Sequence, residues 1–204
     1  MYGALILAGG KSQRMKENKA LMTLANKPLL SHVIDRVWGL TCEIVVVIGK
    51  NEEPRRYSAL LPTAVTLLKD SAEGMGPLAG MLVGMQSMHS SYTVVLPCDS
   101  PFVKREVLEY LLNLAQGADA AIPRWPSGYI EPLHAVYKVS SAMHAAEIAI
   151  DRRELLILDM IKQLNKVVYV DTDEIRKLDK DLITFFNINS REDFKTAEML
   201  LSKI

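Results

Sequence analysis

The chain has 204 residues, 49% of them hydrophobic and 24% charged, values that exclude a disordered, collagenous or coiled-coil protein. At about 150 residues per domain the length allows one or two domains, and without a long polar linker a single domain over 1–204 is expected. Lys plus Arg and Asp plus Glu both total 24, which argues against nucleic acid or an anionic membrane as partner, so any anionic ligand must be held by a local site.

Short apolar runs bounded by turn residues fall at 4–8, 44–48, 65–68, 93–96, 118–122, 133–137, 167–170 and 184–186, and these predict strands. The first four are continuously apolar, as central strands of a parallel sheet covered on both faces would be. Between them, Leu29, Leu30, Val33, Ile34, Val37 and Trp38 follow Pro28 at helical spacing, and Val103, Val107, Leu108, Leu111, Leu112 and Ala115 follow Pro101 in the same way. Pro77 near a helix start, with Gly80 and Gly84, predicts a helix packed closely on the sheet or on a ligand. Ser190 and Asp193 form a capping-box pattern before a last helix carrying Phe194, Ala197, Leu200 and Leu201. Alternation of strand and helix over the first 116 residues predicts an α/β fold, a Rossmann-like doubly wound and mostly parallel sheet with helices on both faces. Gly117, Pro123, Pro126, Gly128 and Pro132 interrupt that regularity, so added strands and loops are expected there. Ligands of such sheets bind beyond the carboxyl ends of the strands, which makes the loops after strands the places to look.

After the first run, Leu7-Ala8-Gly9-Gly10-Lys11-Ser12-Gln13-Arg14-Met15 leads to Lys19. Glycine backbone can turn several N–H groups toward one phosphate, while Lys11, Arg14 and Lys19 supply charge. The spacing is neither a Walker A loop nor G-x-G-x-x-G, and the glycine pair alone would equally make a solvated basic turn. After the run at 93–96, Pro97-Cys98-Asp99-Ser100-Pro101 places a carboxylate where it would either ligate Mg²⁺ together with substrate phosphates or cap the following helix. After the third run stands Asp70, positioned to accept hydrogen bonds from a base or ribose. Gly74-Met75-Gly76-Pro77-Leu78-Ala79 matches the relaxed dinucleotide fingerprint, but too far from the strand end to carry weight.

Taken together, Leu7-Ala8-Gly9-Gly10-x₃-Arg14-Met15-x₃-Lys19, Lys27-Pro28-Leu29, Gly76-Pro77-Leu78-Ala79-Gly80, the Leu96 to Phe102 stretch and Phe186-Asn187-Ile188-Asn189-Ser190 resemble the molybdenum cofactor guanylyltransferase (MobA-like) family of the nucleotidyltransferase superfamily. The resemblance covers nearly the whole chain. It implies transfer of GMP from GTP to molybdopterin, with release of pyrophosphate. By motif, Leu7, Ala8 and Gly9 would meet the nucleotide through the backbone, Lys19 its phosphates, Asp70 would also bind the nucleotide, and Asp99 would ligate a Mg²⁺ ion. Gly10, Lys11 and Arg14 join the phosphate-binding candidates, and Asn187 and Asn189 are candidates for the pterin side or the metal. Where some relatives carry Asn after the second long strand, this chain has Ile48-Gly49-Lys50, leaving Asn51 as the substitute. The resemblance also implies transient contact with molybdoenzymes or their chaperones.

The chemistry is consistent with the inventory, since nucleotidyl transfer needs cations and no protein nucleophile, and no Ser-His-Asp or Cys-His arrangement stands out. His32, His89 and His144 fall in helical patterns. His134 is a candidate for the acceptor side, and Trp125 would either stack on a pterin or anchor its loop. Rival readings are a cytidylyltransferase, on the same cofactor or in another pathway, and a non-catalytic module that delivers nucleotide or cofactor. No apolar run approaches the roughly 18 residues of a spanning helix, and Met1-Tyr2-Gly3 lacks a basic n-region, so a cytoplasmic location is expected. Cys42 and Cys98 are too few for a disulfide framework, and both are expected to be reduced and buried.

Overall fold

A computed structural model of the chain describes residues 1–9, 18–70 and 76–202. In chain order it contains β1 (Tyr2–Leu7), β2 (Thr23–Leu24), β3 (Lys27–Pro28), α1 (Leu29–Val37), β4 (Glu43–Ile48), α2 (Pro54–Ser58), β5 (Val65–Lys69), α3 (Gly76–Ser87) and β6 (Tyr92–Pro97). There follow α4 (Arg105–Leu114), β7 (Ala120–Arg124), β8 (Ala135–Lys138), α5 (Val139–Asp151), α6 (Ile157–Lys162), β9 (Val167–Asp171), α7 (Thr172–Ile175) and α8 (Arg191–Leu201). Seven strands form one sheet in the order β5-β4-β1-β6-β8-β7-β9, in which only β8 runs against its neighbours.

Both faces of this sheet are covered, which is why its inner strands are apolar without alternation. Ala4, Ile6, Val46 and Val94 pack on the side of α1 and α4, while Leu5, Leu7, Val45 and Val95 pack on the side of α3, α5 and α6. The α1 stripe Leu29, Leu30, Val33, Ile34 and Val37 is buried throughout, each side chain contributing about 1.5–3 kcal/mol relative to exposure. On the other face α3 comes unusually near at Gly84, where a Cβ would stand 2.3 Å from Leu5 Cδ1, whereas one at Gly80 would make an ordinary contact 3.4 Å from Leu7 Cδ2. Gly84 therefore serves close packing of helix on sheet, while Gly80 has room for a side-chain methyl. A third, smaller cluster of Leu24, Leu29, Phe102, Ile188 and Ala197 fastens α8 and the β2–β3 hairpin to the edge where the strands end.

Four expectations change. Residues 184–186 do not extend a strand: Ile183–Phe185 form a 3-10 turn entered through Leu182 at φ +52°, and the buried Asp179 carboxylate accepts the Thr184 N–H at 2.7 Å. A short apolar run reads alike as strand or buried turn, and here the backbone bonds go to a side chain. The run at 65–68 makes an edge strand, β5, with partly exposed side chains instead of a central one. Cys98 is buried but Cys42 is exposed, because it stands just before β4 begins. The β2–β3 hairpin was not expected; its two linking residues, Ala25 and Asn26, both have positive φ (47° and 63°), as a type I′ turn needs. Among the described residues no helix is long and apolar enough to cross a membrane.

Candidate active site

β1 lies between β4 and β6, and the chain leaves β1 toward one side and β6 toward the other, so the sheet's reversal point falls between the carboxyl ends of β1 and β6. The backbone is closely tied there. Ala8 N–H donates to Val47 at 2.8 Å and Cys98 N–H donates to Leu7 at 3.1 Å. A Cβ on Gly9 would lie 2.8 Å from the Gly49 nitrogen, so only glycine lets the chain leave β1 so close to the end of β4.

Lys19 opens a 3-10 turn, Lys19–Leu21, whose N-cap Asn18 accepts the Ala20 N–H at 3.0 Å. The Asn18 amide also donates to the hydroxyl of Tyr57, a fully buried residue of α2, and Tyr57 in turn donates to Glu52 at 3.2 Å. Burial pushes the Tyr57 phenol well above its ordinary pKa, so it stays a neutral post for the returning loop. Asn18 and Tyr57 were missed in the sequence; an Asn just before a short turn was the available signal.

So anchored, Lys19 Nζ lies 2.8 Å from Asp99 Oδ2 and 2.6 Å from Asn189 Oδ1. The two charged side chains are only 17% and 14% exposed, which makes the pair stronger than a surface ion pair. Asp99 does not cap α4, whose N-cap Lys104 makes no side-chain cap bond. Asn189 is set by α8: the Asp193 carboxylate accepts the N–H groups of Asn189 at 2.9 Å and Ser190 at 2.8 Å, while Ser190 Oγ accepts the Asp193 N–H at 3.1 Å. Partial burial works to raise the Asp193 pKa, but the Asn189 N–H, Ser190 and the Lys19 charge outweigh it and hold the carboxyl below its ordinary range. Cys98, beside Asp99, has its thiol pushed far up by burial and then by the Asp99 charge, so it is no nucleophile.

Behind this cluster, Ser100 and His134 are buried, His134 at 1% exposure, with Ser100 Oγ 2.9 Å from His134 Nε2. The Ser100 hydroxyl donates to Asn187 Oδ1, so Asn187 is turned toward Ser100 while Asn189 meets Lys19. Trp125 anchors its loop, donating to Glu131 at 2.8 Å and packing edge-on against Phe185. Leu7 and Ala8 are buried at the end of β1, and Asp70 and Asn51 stand after β5 and β4. Gly10, Lys11 and Arg14 lie outside the described residues. A cavity of about 560 Å³ lies over the ends of β7 and β9, lined by Arg124, Asp171, Asp173, Glu174 and Lys177 among others; among the described residues none of the candidates lines it.

A doubly wound sheet with a glycine exit after β1, and with a lysine and a carboxylate meeting at its reversal point, is the arrangement in which α/β proteins of this class bind their ligands. A family model described as the MobA-like NTP transferase domain matches residues 4–167, and the chain belongs to that family. It is 34% identical over 197 residues to a probable molybdenum cofactor guanylyltransferase of Methanosarcina mazei, covering 94% of this chain and 88% of that one. A second protein of that description, from Methanocaldococcus jannaschii, is 32% identical, with 97% and 98% covered. Among solved structures, molybdopterin-guanine dinucleotide biosynthesis protein A from Archaeoglobus fulgidus superposes with a TM-score of 0.81 at 34% identity over all of both chains. The 2-C-methyl-D-erythritol 4-phosphate cytidylyltransferase of Thermus thermophilus, at 17% identity, TM-score 0.72 and 99% and 100% coverage, shares the fold.

Proposed function

We propose that this protein transfers GMP from GTP to molybdopterin, forming the guanine dinucleotide cofactor and pyrophosphate, as a cytoplasmic enzyme that hands its product to molybdoenzymes or their chaperones by transient contact. The observation that carries the reading is Lys19 held between Asp99 and Asn189 at the reversal point of the sheet. An acceptor phosphate oxygen attacks the α-phosphorus in line; the new O–P bond forms as the bond to the β-phosphate oxygen breaks, and pyrophosphate leaves with the electron pair. No side chain becomes covalently attached.

The residues present suit Mg²⁺. Asp99 and Asn189 both offer hard oxygen donors, and they already surround a cation, the Lys19 ammonium. Among the described residues no group of three or more His, Cys, Asp or Glu could cage a metal, and Mg²⁺ commonly takes one or two carboxylates with substrate phosphates. Asp99 would hold the ion, which neutralises phosphate charge when bound. Lys19 exchanges its two protein acceptors for triphosphate oxygens, the Leu7 to Gly9 backbone lines the nucleotide, Asp70 meets the nucleotide, and Lys11 and Arg14 are the candidates for binding the leaving pyrophosphate.

The test is pyrophosphate release with molybdopterin as acceptor, scanned over the four nucleoside triphosphates with and without Mg²⁺. GTP with Mg²⁺ is expected to be preferred, and Lys19→Ala or Asp99→Ala to lower turnover about 10²–10³-fold, as loss of a preorganised charge does. Equal or faster release from CTP refutes the guanine assignment; undiminished turnover in both variants refutes the site.

A further inference from the structure

Resting on that reading of the site, we infer that His134, Ser100 and Asn187 form a positioning chain, buried at His134 and Ser100, that fixes where Asn189 meets Lys19, without themselves touching substrate. Ser100 follows Asp99 directly, and its hydroxyl donates to Asn187 Oδ1. Having given its proton there, Ser100 Oγ must accept from His134 Nε2, which requires a proton on that nitrogen. His134 Nδ1 is buried without a hydrogen-bond partner, and Glu131 Oε2, 3.8 Å away, makes no bond to it. Glu131 is itself fixed by Trp125 Nε1 at 2.8 Å, and the Phe185 ring stands edge-on between Trp125 and His134, 5.8 Å and 5.5 Å from their ring centres. The imidazole therefore has little freedom to turn.

The far end of the chain is equally held. Ile188 is fully buried, and its N–H donates to the Asp99 carbonyl at 2.9 Å. Asn187 is thus tied to Ser100, Ile188 to Asp99, and the Asn189 N–H to Asp193 at 2.9 Å, leaving the exposed Asn189 carboxamide for Lys19. A side chain so restrained on both flanks can offer its oxygen in one place only, and a shift at Ser100 reaches Asn189 through Asn187.

The test is turnover of the full chain in the pyrophosphate assay, with thermal melting to check folding. Glutamine can put an N–H donor near the Nε2 position of histidine, whereas asparagine reaches only as far as Nδ1, so His134→Gln keeps the bond to Ser100 and His134→Asn loses it. His134→Asn and Ser100→Ala are expected to lower kcat about 10–100-fold, as misplacement of site groups does, and His134→Gln to restore most of it. In an Asn189→Ala background neither Ser100→Ala nor His134→Asn should lower kcat further, because they act through the residue already removed. Multiplying effects in that background, or equal loss in the Gln and Asn variants, overturns the positioning chain and leaves His134 and Ser100 as packing. Should Ser100→Ala fail to fold, the His134 pair decides alone. Lys19→Ala and Asp99→Ala run alongside, and undiminished turnover in those two refutes the proposed function and not the positioning chain alone.

Discussion

Gly9→Ala places a methyl carbon 2.8 Å from the Gly49 nitrogen, 3.1 Å from its Cα and 3.3 Å from the Ile48 carbonyl carbon. All three are backbone atoms, so no rotamer change relieves the contact. The exit from β1 or the turn after β4 must yield by about 0.6 Å to reach ordinary van der Waals distance. Overpacking of this kind costs about 1–3 kcal/mol. For a chain of this size that is a loss of about 2–4 °C in Tm per kcal/mol. A misplacement of about 1 Å costs about 10²-fold in rate, so a shift of about 0.6 Å at the edge of the site is expected to lower kcat/KM about tenfold. Gly80→Ala is the control: its Cβ would meet Leu7 Cδ2 at 3.4 Å and Val47 Cγ1 at 3.7 Å, ordinary contacts with flexible side chains, while alanine gains about 0.8–1.0 kcal/mol of helix propensity. Melting curves and pyrophosphate release on the two variants decide the matter. Equal behaviour of the two, or a Gly9→Ala protein with unchanged Tm and kcat/KM, would refute the steric argument.

Asp193→Ala removes the capping-box carboxylate of α8 and should cost about 1 kcal/mol. Because the folded Asp193 carboxyl is held below its ordinary pKa, this contribution is complete above the unfolded value near ~3.9 and disappears as pH falls through the folded value. Melting temperatures of native and variant protein should therefore converge on acidification; a gap that persists unchanged at the lowest pH counts against the cap. Thiol labelling under native conditions should modify exposed Cys42 and spare Cys98, whose reaction should require unfolding. Equal labelling rates would contradict the burial of Cys98.

What the sequence made legible follows from where the physics is local. Continuous apolar runs ending in Gly9 or Asp99 mark strands buried on both faces, and the loops after them carry the Lys19–Asp99 pair. The Ser190–Asp193 box is a contact three residues apart and was equally readable. The run at 184–186 was not, because the Asp179 carboxylate that turns it into a 3-10 turn stands five residues back, off any strand or helix period, and is held there by Lys104 from a distant part of the chain. Exposure of Cys42 depended on where β4 begins, to a precision that apolar patterning lacks. The division of labour between the two asparagines was hidden for a different reason: Asn187 and Asn189 look alike in the chain, and only Ser100, 87 residues from Asn187, separates their roles.

Lys19 reaches Asp99 across 80 residues and Asn189 across 170, so the three corners of the site come from the first, middle and last parts of the chain. Contacts of such separation form late, after the entropy of closing long loops has been met by the core. Synthesis proceeds at about 5–20 residues per second, so a growing chain can build β1, β4 and β6 well before the Asn189 corner exists. Completion of this triad therefore needs nearly the whole chain, and a chain interrupted before Asn189 carries the sheet without that corner of the candidate site.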